Sequence, residues 1–193
     1  IEVDADGNVY TANSGSDNVS KITTDGNSTI LGETGSSPVG IAIDADGNVY
    51  TANSNSNDVS KITPDGTSNI LGTTGSSPIG IAIDADGNVY TANAGSNNVS
   101  KITPDGTSNI FGATGSSPVG IAIDAVGNVY TANVGSSDVS KITPDGTSSI
   151  LGTTGSTPLG ITIDGADNIY TANYSSDTVS KITPEGISTI FGT

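Results

Sequence analysis

The sequence predicts an all-β protein built from five copies of one four-stranded antiparallel unit. Three observations carry this. A forty-residue segment recurs without insertion or deletion, with copies opening at Ile1, Ile41, Ile81, Ile121 and Ile161. Each copy holds four short runs of β-forming residues and no helical spacing. Gly, Pro, Asn, Asp and Ser punctuate the chain every eight to ten residues. A four-stranded unit of about forty residues that repeats in this way is the blade of a β-propeller. The chain therefore reads as one propeller domain over 1–193, with blades 1–40, 41–80, 81–120, 121–160 and 161–193. The blades form either a closed ring or an open arc.

The second copy shows the elements in order. Gly40 to Asp44 reads as the first strand, with Ile41 and Ile43 on one side and the small Ala42 on the other. Asn48 to Asn53 is the second, with Tyr50 and Ala52 sharing a face. Val59 to Thr63 is the third and Ser68 to Leu71 the fourth. Asp44-Ala45-Asp46-Gly47 and Pro64-Asp65-Gly66 are tight connections, because Gly takes a positive φ at no steric cost. Ser54–Asp58 and Thr73–Pro78 are longer. Tight turns thus gather on one face of the disc and long loops on the other. Ile, Val and Tyr lie on both sides of each blade, so blades must stack to bury them.

Pro78-Ile79-Gly80-Ile81-Ala82-Ile83-Asp84, followed by Asp86-Gly87-Asn88-Val89-Tyr90, resembles the core of an NHL repeat. With Val99-Ser100-Lys101-Ile102-Thr103-Pro104-Asp105-Gly106 it also resembles the streptogramin (virginiamycin B) lyase-like propellers. The resemblance covers all five copies. It implies propellers of about six or seven blades, used mostly as binding platforms and in some cases as enzymes. The lyase-like family uses a His with an acidic metal site, and this chain has no His.

Composition narrows the function classes. Twenty acidic residues against five lysines give a net charge of −15, without a basic patch for nucleic acid or an anionic membrane surface. No cysteine is present, so disulfides and thiolate metal sites are excluded. No apolar run is long enough to span a membrane. The absent initiator Met suggests a mature product or a segment of a longer chain. The end copies diverge most, as terminal repeats do: Glu2 and Thr162 replace Ala42, Thr24 replaces Pro64, and Gly165-Ala166-Asp167 replaces Ala-Asp-Gly.

Two rings of residues are candidate sites. Asp4, Asp44, Asp84, Asp124 and Asp164 end the first strands. There they could circle one mouth of the channel and hold Ca²⁺ or another hard cation through oxygen. The competing reading is that each carboxylate accepts local backbone N–H groups and fixes its turn. No other cofactor is expected. Asn13, Asn53, Asn93, Asn133 and Asn173 close the second strands on the long-loop face and could bind a sugar or peptide, or cap the loops. Just beyond them the copies differ: Ser14, Ser54, Ala94, Val134 and Tyr174. Tyr174 is the candidate contact residue among these. Lys21, Lys61, Lys101, Lys141 and Lys181 read as surface ion-pair partners, and Tyr10, Tyr50, Tyr90, Tyr130 and Tyr170 as inter-blade core.

Without Cys or His, and with near-identical blades, the sequence points to a non-enzymatic binding or scaffold propeller. It would present its loop face to a protein or carbohydrate partner, outside the cell or at its surface. A structural array that self-associates or continues into more blades is the first alternative. A metal-dependent lyase or lactonase is the second.

Overall fold

The computed structural model describes residues 1–192. Among them are twenty strands and no helix. The strands form five separate antiparallel sheets of four, each in sequence order. In blade 2 the strands are Pro38–Ile43, Val49–Asn53, Asp58–Ile62 and Ser68–Thr73. The first strand begins earlier than the residue pattern suggests. Pro38 pairs with Asn53 across a register shift before Gly40, and Ser37, at φ 55°, turns the chain into it. A second shift between Val59 and Ser60 carries the fourth strand on to Thr73. Such bulges bend the strand and raise its twist, and alternation of residue types does not reveal them. Blade 1 differs: its first strand is only Glu2–Val3.

Both tight turns close as the sequence indicates. Gly47 N–H donates to Asp44 O at 3.1 Å, and Gly66 N–H to Thr63 O at 2.8 Å. Both glycines have positive φ, 79° and 87°. In blade 5 the altered turn keeps this geometry, with Asp167 at φ 59° in the place of glycine. Asp is among the few residues that tolerate the left-handed region.

The first strands of successive blades pack against one another, so these strands lie innermost. The apolar core sits between blades, not within them. Tyr10 and Val19 of blade 1 bury themselves against Ile41, Val49 and Ile62 of blade 2. Tyr50 and Val59 meet Val89 and Ile102; Tyr90 and Val99 meet Val129 and Ile142; Tyr130 and Val139 meet Ile169 and Ile182. Each sheet therefore has a Tyr/Val face and an Ile/Val face, and stacking pairs unlike faces. One Tyr ring is buried at each of these four interfaces. Among the described residues no helix is long and apolar enough to cross a membrane.

Candidate functional site

The two rings occupy opposite ends of the blades. At the tight-turn end, Asp44 follows the first strand and its carboxylate is saturated from its own turn. Oδ1 accepts the N–H groups of Asp46 (3.0 Å) and Asn48 (2.8 Å). Oδ2 accepts Asn48 Nδ2 (2.8 Å) and the Tyr50 hydroxyl (2.9 Å). The same Asn and Tyr partners serve Asp4, Asp84, Asp124 and Asp164. These bonds favour the charged form. The side-chain amides of Asn8 and Asn168, followed by further local bonds, lower Asp4 and Asp164 to a pKa of about 2. Burial alone would raise Asp44, Asp84 and Asp124, but the Asn, Tyr and backbone donors outweigh it and the net shift is downward.

The lysines do something other than the ion pairing expected of them. Lys61 Nζ lies over the Tyr50 ring, 5.3 Å from its centre, and the other four lysines sit likewise over Tyr10, Tyr90, Tyr130 and Tyr170. Lys and Tyr face each other across the second and third strands, Tyr50 opposite Lys61. Each blade thus carries an aspartate, a tyrosine and a lysine in series. Between successive turns run grooves of about 420, 420 and 340 Å³. The middle one is lined by Ile43 and Ile83 and by Asp44, Asp46, Asp84 and Asp86, and its neighbours by the equivalent residues of blades 1 and 4.

At the long-loop end the asparagines lie inside the blades. Asn53, Asn93 and Asn133 are fully buried and Asn173 nearly so. Asn53 Nδ2 donates to Asp58 Oδ1 (2.6 Å) and Ser60 Oγ (2.9 Å), while its Oδ1 accepts from Thr51 Oγ1 (2.9 Å). Ser60 Oγ in turn accepts the N–H of Gly35, in the connection arriving from blade 1, at 2.9 Å. Along the same connection, Ser36 N–H donates to Ser56 Oγ and Ser37 N–H to Asp17 Oδ1, at 2.9 and 2.7 Å. The loop is stitched to the blade behind it and the blade ahead. The serines at Ser20, Ser60, Ser100, Ser140 and Ser180 were not singled out from sequence. Their presence mid-strand in every copy was the available signal.

Tyr174 is the exception at this end. It is 72% exposed, beside Leu159 at 43%. Both line a cavity of about 440 Å³, with Asn173, Asp177 and Val179 among its walls.

A family model for the virginiamycin B lyase family matches residues 1–192. The chain belongs to the virginiamycin B lyase family. Solved structures agree on the fold. A catalytically inactive virginiamycin B lyase from Staphylococcus aureus, bound to quinupristin, superposes with a TM-score of 0.85 at 19% identity, over 99% of this chain and 68% of that one. A streptogramin B lyase gives 0.85 at 20%, over 100% and 67%. A nidogen/laminin complex gives 0.77 at 21%, over 98% and 77%. This chain thus spans about two-thirds of the length of the lyases it resembles. Among curated protein sequences no significant match was found.

Membership in a family of lyases overturns the expectation that the chain is not an enzyme. The absence of His and the likeness of the blades, on which that expectation rested, do not define a family's chemistry. The residues present do not fit the acidic metal site that the resemblance implies. Among the described residues no three carboxylates stand together as ligands, and the acceptor atoms of the Asp ring are taken up by Asn, Tyr and backbone donors.

Proposed function

We propose that this virginiamycin B lyase family propeller binds a protein partner on its long-loop face, with Tyr174 as the anchoring side chain. One observation carries the reading: the most exposed aromatic ring stands where the other blades place Ser14, Ser54, Ala94 and Val134. Amphipathic aromatics of this kind are the usual anchors of an interface. The connection beside it is polar and held to blade 5 by hydrogen bonds of Gly155, Ser156 and Thr157 with Ser180, Ser176 and Ser175, so the surface is preorganised. The net charge of −15 favours a basic partner. The structural likeness to a chain of a nidogen/laminin complex supports a protein as the partner.

The test is a peptide display selection on the native chain, with counter-selection on Tyr174→Ser. Enrichment of basic, aromatic-containing peptides that bind the variant at least tenfold more weakly is the expected result. Equal binding to both proteins, or no enrichment, removes the reading.

Family membership favours a second reading, turnover of a ligand such as the quinupristin held by the S. aureus enzyme. Incubation with quinupristin followed by mass spectrometry decides it: quinupristin recovered intact after prolonged incubation excludes this substrate.

A further inference from the structure

The tight turns carry two sets of Asp-Gly pairs. Asp6-Gly7, Asp46-Gly47 and Asp86-Gly87 join first strands to second, and Asp25-Gly26, Asp65-Gly66, Asp105-Gly106 and Asp145-Gly146 join third strands to fourth. All seven aspartates are exposed. Hydrogen bonding separates the two sets. Asp65 Oδ1 accepts the Thr63 hydroxyl and, at 3.0 Å, the Thr67 N–H. Thr23 and Asn27, Thr103 and Thr107, and Thr143 and Thr147 hold Asp25, Asp105 and Asp145 in the same way. Asp6, Asp46 and Asp86 instead give their main-chain N–H groups to Asp4, Asp44 and Asp84, and among the described residues no donor stands on their own carboxylates. The glycine amides differ too. Those of Gly26, Gly66, Gly106 and Gly146 close their turns at 2.8 Å, those of Gly7, Gly47 and Gly87 at 3.0–3.1 Å.

An aspartate before glycine can react with its own backbone, because no side chain shields the glycine nitrogen. We infer that Asp6, Asp46 and Asp86 are sites of isoaspartate formation and that the threonine-tied aspartates are spared. In blade 2, Gly47 N attacks Asp46 Cγ. The N–Cγ bond forms, the Cγ–OH bond breaks, and the hydroxyl leaves as water with the amide proton. Water then adds to the main-chain carbonyl carbon of the succinimide and breaks its bond to Gly47 N. The backbone now runs through Cβ and Cγ, one atom longer, with a free α-carboxylate and with mass and net charge unchanged. In the tied turns the Thr63 hydroxyl and the Thr67 N–H must first release Asp65. They also hold its carboxyl below the ordinary range, away from the protonated form that loses water.

The reaction strikes the lock of the innermost turn. Asp46 and Asn48 N–H both donate to Asp44 Oδ1, and the added atom falls between them. Val126 stands in the reactive position of blade 4, and Gly165-Ala166-Asp167 removes the Asp-Gly pair from blade 5. The inference stands apart from the Tyr174 reading.

Ageing the native chain beside the same chain in urea, at neutral pH, tests it. Both are cleaved at lysine and mapped by mass spectrometry with electron-transfer fragmentation, which distinguishes isoaspartate from aspartate. Each site's native rate is read against its own rate in urea, so sequence context cancels. On that scale Asp6, Asp46 and Asp86 should convert about tenfold faster than the other four, as the release of one or two hydrogen bonds before reaction implies. Thr63→Val, checked to be folded by its melting, should speed conversion of Asp65 and leave Asp105 unchanged. Equal conversion at all seven native sites, protection of all seven by the fold, or an Asp65 unmoved by Thr63→Val each overturns the inference.

Discussion

Tyr50 donates its hydroxyl hydrogen to Asp44 Oδ2 across 2.9 Å. That bond, present in every blade, joins the innermost turn to the ring that fills the space between blades. Removing the carboxylate from one central blade leaves a phenol and three amide N–H donors without their acceptor. Asp84→Ala should cost about 2 kcal/mol and Tyr90→Phe about 1 kcal/mol, read by urea unfolding. Asp84→Asn should rescue only part of the loss: its Oδ1 can still accept the Asp86 and Asn88 N–H groups, but its Nδ2 would point a donor at the Asn88 amide.

Acid should unfold the protein through these turns. The Asp4, Asp44, Asp84, Asp124 and Asp164 carboxylates have folded pKa values below the ordinary 3.8. Depressed values give stability that is present above the unfolded pKa and lost as pH falls through the folded one. Melting temperature should be level above pH about 5 and fall steeply between pH about 4 and about 2. At the alkaline end, burial and then the bond to the neighbouring Asp raise Tyr50 and Tyr90. Their contribution is present below the ordinary phenol value of 10.0 and lost as pH rises beyond it. A melting curve taken across pH checks both limbs.

The long-loop stitching makes a local prediction. Ser100 Oγ accepts the Gly75 amide at 2.9 Å and Asn93 Nδ2 at 2.9 Å. Ser100→Ala should speed hydrogen exchange at the Gly75 amide while leaving amides of blade 5 unchanged. Asn93→Ala, fully buried, should cost about 2 kcal/mol.

Inter-blade sterics predict a contrast between two glycines at the same repeat position. Gly112→Ala places a methyl 2.7 Å from Ile142 Cγ2 and should lose about 1–3 kcal/mol by overpacking. Gly192→Ala meets nothing and should fall within about 0.5 kcal/mol of the parent. Equal effects at both positions would contradict the face-to-face packing.

Much of the fold was legible because the forty-residue period, the Asp-Gly turns and the alternation of Ile and Val each depend on local chemistry. Register was less so: the slips at Pro38 and Ser60 arise from pairing between strands. The site was harder. Asp44 and Asn53 are polar, repeated and close to turns, which is equally the signature of a ligand ring and of a turn lock. Only the positions of Asn48, Tyr50 and Ser60 in space separate the two. Lys61 was misread because its partner is a ring on the adjacent strand, a contact that charge counting does not register.

The central claim is that repeated polar residues hold the blades together and that recognition falls to Tyr174. Melting and peptide titration of Asn93→Ala and Tyr174→Ser, side by side in one calorimeter, test it most directly. Tyr174→Ser should melt with the parent and lose at least tenfold in affinity for a selected peptide. Asn93→Ala should melt several degrees lower and keep its affinity below that transition. A Tyr174→Ser protein that melts as low as Asn93→Ala, or that binds the peptide undiminished, would contradict the account.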